Sequence, residues 1–226
     1  MKKQMKLLSV AIIGTLLLGA CGAPQKSAQS KDESAVSTED TVKSLVYGTS
    51  SYGVGMSDAG LNPHEDYSGW SLVRYGVGET LFKLNDKLEL TPWLADSYKF
   101  IDDNTLEVKI KDNINFSSGR KLDATAAKEC FEDLLAVHDR APKDMKISEI
   151  KADGQTLTFI TTEPNPALIN FLAEPYSALI DMKTGVDANK NVSGTGPYKA
   201  TAVSDTEIDL TSRDDYWDGN VAKTNI

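Results

Sequence analysis

Histidine and cysteine are nearly absent from this chain, which has two of each among 226 residues. A metal site takes three or four His, Cys or carboxylate ligands held close together. His64 and His138, 74 residues apart, offer little material for such a cage even with a thiol added. Two cysteines also exclude a disulfide framework. Positive charge is short too, with 24 Lys and Arg against 33 Asp and Glu. A formal balance of −9 argues against nucleic acid and against electrostatic docking on anionic lipid. Several site signatures are missing. Gly48 and Gly53 have the spacing of a phosphate-cradling loop, but Val54 stands where its lysine belongs. Gly76-Val77-Gly78 lacks the third glycine of a dinucleotide fingerprint. Ser50 has Tyr52 where a nucleophile elbow needs glycine. His64-Glu65 has no second histidine four residues after His64, so no zinc-protease pair forms. Carboxylates are plentiful, yet none stands out as a paired acid and base. A hydrolase would rest on a dyad that the sequence does not display.

What is present starts at the N-terminus. Lys2, Lys3 and Lys6 precede an apolar run from Leu7 to Leu18, then Gly19, Ala20 and Cys21. The run is too short for the roughly 20 apolar residues of a membrane span. A basic start, a short apolar core and small residues make a secretory signal peptide. Leu18-Gly19-Ala20-Cys21 looks like a bacterial lipobox, whose cysteine receives a diacylglycerol and becomes the first mature residue. The expectation is a signal peptide over 1–20, lipidation at Cys21, and anchoring to the outer face of the bacterial cell membrane. Removing those residues leaves 21 basic and 33 acidic side chains, a balance of −12. Cys130 is then unpaired and reads as a small buried apolar residue. Residues 21–43 carry almost no large apolar side chain, so they cannot offset their ordering entropy and read as a flexible tether. Such a tether reaches roughly 25 Å.

The folded part, 44–226, reads as mixed α/β. "SLVYGTS" (44–50) predicts a buried strand, and the turn-rich stretch after it a long loop. Ser71–Gly78 predicts a helix leading to a strand at Leu81–Leu84. Residues 95–111 and 146–162 alternate as two hairpins, the second turned by Asp153-Gly154. Between them Asp123 caps a helix over Ala124–Val137. Its apolar face is Ala127, Phe131, Leu134 and Leu135, with His138 favoured at the helix end by the dipole. His64 reads as a loop residue with a local hydrogen bond. A short helix is predicted through Leu168–Leu172, and two strands in "GTGPYKATAV" and "TEIDLTS".

Three stretches together resemble the peptide/nickel group of ABC-importer solute-binding proteins, family 5. In Leu61–Phe100 the matching residues are Leu61, Pro63, His64, Glu79, Leu81, Pro92, Trp93, Leu94 and Ala95. In Asp102–Leu135 they are Phe116, Gly119, Ala124 and Ala127. In the last stretch they are Gly194, Gly196, Pro197, Tyr216 and Trp217. The resemblance implies a periplasmic-binding-protein-like fold of type II, a two-lobed body that closes on a small peptide or a nickel or other metal chelate. It implies no catalysis, no cofactor, a monomer, and ABC permease and ATPase subunits as partners. By the same resemblance, about 80–190 would be a small inserted domain and 191–226 the return to the first lobe. Family members are longer, so this chain is expected to be a truncated form with impaired binding. Glu174 and Ser177 stand where the nickel branch carries arginines, which points away from an anionic chelate. Candidate cleft residues are Tyr52, Asp66, Tyr67, Trp70, Glu174 and Tyr176, while Trp93 and Trp217 read as packing residues. An exported hydrolase and a structural or adhesive lipoprotein are the competing classes.

Overall fold

The computed structural model describes residues 43–46, 48, 60–204, 206–219, 221 and 224–225. The signal peptide, Cys21, Tyr52 and the tether up to residue 42 lie outside them, while Lys43 at the tether's end is already in a strand. Among the described residues no helix is long and apolar enough to cross a membrane.

The centre is an antiparallel four-stranded sheet in the order β4-β5-β7-β6. Its strands are β4 (Ala95–Asp102), β5 (Thr105–Ile110), β6 (Ile147–Asp153) and β7 (Thr156–Thr161). Successive side chains alternate faces. Leu106, Val108 and Ile110 of β5 and Leu157 and Phe159 of β7 therefore point to one side and are fully buried. Helix α2 (Ala124–Val137) covers that side. The Asp123 carboxylate accepts the Ala126 N–H at 2.8 Å and closes its first turn, as the sequence predicts. Ala127, Phe131 and Leu134 are buried against the sheet, and the Phe131 ring meets Phe159 edge to face at 5.1 Å. Burying one such aromatic contributes about 1.5–3 kcal/mol.

The rest of the fold is made of short elements. It comprises helix α1 (Ser68–Arg74), the hairpin β2 (Phe82–Leu84) with β3 (Leu90–Pro92), the short helices α3 (Ala141–Met145) and α4 (Leu168–Phe171), and a 3-10 turn at Pro175–Ser177. The hairpin β8 (Tyr198–Val203) with β9 (Ile208–Ser212) follows. The two-residue strands β1 (Lys43–Ser44) and β10 (Thr224–Asn225) pair in parallel.

Several expectations are corrected. The first strand is described only at Lys43–Ser44, and Leu45 and Val46 are exposed rather than buried, because no described layer covers them. Helix α1 starts three residues earlier than predicted and stops at Arg74, since Gly76 adopts φ +67°. There the N–H groups of Gly76 and Val77 bond back to Val73 and Leu72, the paired closure that a left-handed glycine permits. Nothing in the residue pattern signals β3, α3 or the 3-10 turn. "Gly194-Thr-Gly196" is not the φ > 0 turn its glycines suggest, as neither has positive φ. Instead this segment lies flat on Gly76-Val77-Gly78. A Cβ at Gly194 would sit 2.0 Å from the Val77 carbonyl oxygen, and one at Gly196 2.2 Å from that of Gly76.

Candidate functional site

Five of the six candidate cleft residues fall on two elements that touch. Helix α1 rests on the 3-10 turn through Gly69, where a Cβ would come within 2.4 Å of the Pro175 carbonyl oxygen. Tyr67 and Trp70 stand within two residues of Gly69 along the chain, as Glu174 and Tyr176 stand next to Pro175. Tyr67 and Trp70 are 57% and 52% exposed. Asp66 is exposed and held at φ +48°, a conformation Asp tolerates better than most residues. Glu174 is half-buried, and its carbonyl accepts the Ser177 N–H at 2.8 Å. Tyr176 differs from the others. It is 5% exposed, its hydroxyl donates to the Asp144 carboxylate at 3.3 Å, and its ring lies 4.6 Å from that of His138. Burial beside Asp144 and Glu174 pushes its hydroxyl pKa up.

The two histidines converge on the loop that carries these residues. His138 Nδ1 accepts the backbone N–H groups of Arg140 and Ala141, each at 3.1 Å, and the ring also bonds the Asp66 backbone. This is a specific cap, not the dipole contact foreseen from its place at the helix end. Burial, then the Arg140 charge, holds its pKa below the ordinary value. His64 Nδ1 lies 2.7 Å from Asp133 Oδ2, and Nε2 lies 3.4 Å from the Cys130 sulfur. Cys130 in turn accepts the Ile180 N–H at 3.4 Å. The order Asp133–His64–Cys130 is that of a nucleophilic triad, which sequence reasoning missed because His64 lies 66 and 69 residues from the other two. The chemistry is otherwise. A nucleophilic thiol needs exposure and a lowered pKa. Here the thiol is 1% exposed, and burial pushes its pKa up to about 12. Desolvation likewise lowers the pKa of His64 against the pull of Asp133. The network fastens the loop to α2 and to the Ala178–Ile180 segment.

The three stretches that carry the resemblance meet around a buried carboxylate. Glu79 is fully buried and accepts from the Tyr216 hydroxyl at 2.6 Å, the Trp217 indole at 2.9 Å and the Thr195 hydroxyl at 2.9 Å. Desolvation raises its pKa, and the three hydrogen bonds oppose that rise. Beside it Arg213, 5% exposed, donates to the carbonyls of Gly196, Asn115 and Phe116 and pairs with Asp215 at 3.0 Å through two nitrogens. Arg213 was not singled out from the sequence; its fork clasps the second and third stretches together. Among the described residues no group of three His, Cys, Asp or Glu side chains is placed to hold a metal ion.

Comparison with known proteins matches residues 89–225 to the bacterial extracellular solute-binding proteins, family 5, middle segment. The chain belongs to this family. Its members among curated proteins include the nickel-binding protein NikA of Staphylococcus aureus, 37% identical over 148 residues, covering 65% of this chain and 30% of the relative. The glutathione-binding protein GsiB of Escherichia coli K12 is 29% identical over 153 residues, covering 63% of this chain and 30% of the relative. The crystal structure of Staphylococcus aureus NikA in complex with Ni(L-His)2 is 33% identical, with a TM-score of 0.70 over 75% of this chain and 36% of that one. A nickel ABC transporter structure from Bacillus halodurans gives 31% identity and a TM-score of 0.68 over the same shares. The chain thus spans about a third of the length of these relatives. They are solute-binding proteins, not enzymes, and the family is extracellular.

Proposed function

We propose that this chain is part of the substrate-binding lipoprotein of an ABC importer for small peptides or nickel and related metal chelates. The family match over 89–225 carries the reading. We take Tyr67, Trp70 and Glu174, which stand within two residues of the close approach of Gly69 to Pro175, as a ridge on one wall of a ligand cleft. Half-exposed aromatic rings with nearby carboxylates suit a neutral or cationic solute or the ammonium end of a peptide. A cleft buries most of a small ligand between two walls. Residues 22–226 alone therefore bind Ni(II)–L-histidine or glutathione more weakly than micromolar. Isothermal titration tests this, and a micromolar constant overturns the one-wall reading. Cys21 carries the lipid that holds the protein at the outer membrane face. Incorporation of labelled palmitate, lost in Cys21→Ser, checks that assignment; unchanged labelling refutes it.

A further inference from the structure

His138 stands where separate segments meet. It ends α2, its N–H bonded to the Leu134 carbonyl at 3.0 Å. Its Nδ1 accepts the N–H groups of Arg140 and Ala141, where α3 begins. The Arg140 side chain makes no cap for α3, so the imidazole satisfies these two helix-start donors instead. The ring also bonds the backbone of Asp66, just ahead of α1, and lies against the Tyr176 ring.

A ring nitrogen that accepts two N–H groups has no place for a proton of its own. The neutral ring therefore carries its proton on Nε2, the nitrogen left for Asp66. Protonation would turn Nδ1 into a third donor facing the other two, and a buried cap cannot hold that arrangement. The ring must leave its site to take up the charge. Its surroundings agree. Arg140 on α3 opposes a positive ring, as does the burial itself, while Asp139 beside it and Asp144 on α3 favour one. His64, on the loop ahead of α1, and imidazolium at 138 would repel. The Tyr176 hydroxyl is occupied by Asp144.

Other anchors limit what can open. The far end of α3 is held by Asn165, whose side-chain amide donates to the carbonyls of Asp144 at 3.1 Å and Met145 at 2.9 Å. The start of the loop is held by the Leu61 N–H on the Lys190 carbonyl at 3.0 Å and by His64 on Asp133. The imidazole thus ties down the near ends, the Arg140–Ala141 turn and Asp66, while the far ends have anchors of their own.

We propose that His138 is an acid-released latch: the neutral ring fastens the Arg140–Ala141 turn to the Asp66 end of the loop, and the protonated ring lets both go while the sheet stays folded. Asp66 directly precedes Tyr67, so acid loosens the chain at the start of α1. The latch concerns the chain's own conformation and stands whether or not α1 meets a solute.

Amide hydrogen exchange of Arg140 and Ala141, read by NMR on the isotope-labelled chain, provides the test. The open form binds its proton with the ordinary value of 6.5 and the latched form does not, so linkage raises the opening constant about tenfold between pH 7.5 and 5.5. Protection of both amides, corrected for the intrinsic rate at each pH, falls by that factor. At both pH values it stays below that of Val108 in the sheet, the mark of a local opening. In His138→Gln the side-chain oxygen accepts but binds no proton, so the pH dependence disappears. Long-range nitrogen–proton spectra of the wild-type ring at pH 7.5 place the proton on Nε2. A fall under about threefold in wild type overturns the proposal. So does an equal fall in His138→Gln, or a ring proton on Nδ1. Protection equal to that of Val108 overturns it too, because the turn then opens only when the whole fold does.

Discussion

Removing the Glu79 carboxylate should be far more damaging than neutralising it. In Glu79→Ala three donors lose their acceptor: the Thr195 hydroxyl, fully buried, and the Tyr216 hydroxyl and Trp217 indole, both partly covered. A buried donor left unmatched costs about 1–3 kcal/mol. Water can reach the two half-covered donors, so their share falls at the low end. The expected loss is about 3–5 kcal/mol, a large part of the 5–15 kcal/mol of a typical domain. In Glu79→Gln the amide oxygen can still accept from Thr195 and Trp217. The amide nitrogen then donates to the Tyr216 oxygen, whose own proton turns to solvent. The cost should stay within about 1 kcal/mol. The pH dependence follows from the raised pKa of Glu79. A carboxyl that binds its proton more tightly when folded adds stability below its ordinary value near 4.5, and that share is lost as pH rises through the raised value. Glu79→Gln should remove this contribution. Urea unfolding followed by tryptophan fluorescence at several pH values reads all three quantities. An alanine variant as stable as wild type would refute the reasoning, and so would a glutamine variant as unstable as the alanine one.

Three other outcomes follow from the same contacts. Cys130 should resist iodoacetamide in the native state and react in urea, because burial holds its thiol protonated with a pKa of about 12; mass spectrometry of the alkylated peptide decides. Asp123→Ala should cost about 1 kcal/mol, the usual worth of an N-cap, in the urea midpoint. His138 binds its proton less readily folded than unfolded. Its contribution should be full above its ordinary value of 6.5 and fall as pH drops below it. His138→Gln should flatten stability between pH 7 and 5, and an unchanged slope would exclude His138 as the cause.

Local pattern made the central sheet and α2 legible. Two-residue alternation placed both hairpins, and one aspartate placed the start of α2 at the residue the structure shows. The failures share a different origin. β3, α3 and the 3-10 turn are three to five residues long, too short for a period to emerge. Leu45 and Val46 look like core residues because a sequence reports apolarity, not whether a covering layer exists. The glycines at 194 and 196 were attributed to a turn, yet the cause is a backbone that passes against Gly76-Val77-Gly78 from more than a hundred residues away. Glu79 stood in a motif, but its three donors, and the convergence of His64 with Asp133 and Cys130, exist only through long-range packing. On the candidate ridge, Tyr67 and Trp70 are exposed and Glu174 is half-buried, while Tyr176 turns inward onto Asp144 and His138.

The account turns most on whether that ridge meets a solute. Titrating isotope-labelled chain with Ni(II)–L-histidine, whose metal is paramagnetic, reports proximity residue by residue. Broadening is predicted for the Trp70 indole and for the backbone amides of residues 66–70 and 174, with the Trp93 and Trp217 indoles unchanged. Broadening centred on Trp93 or Trp217, or none at millimolar chelate, would contradict the placing of a ligand wall on α1 and the 174–176 segment.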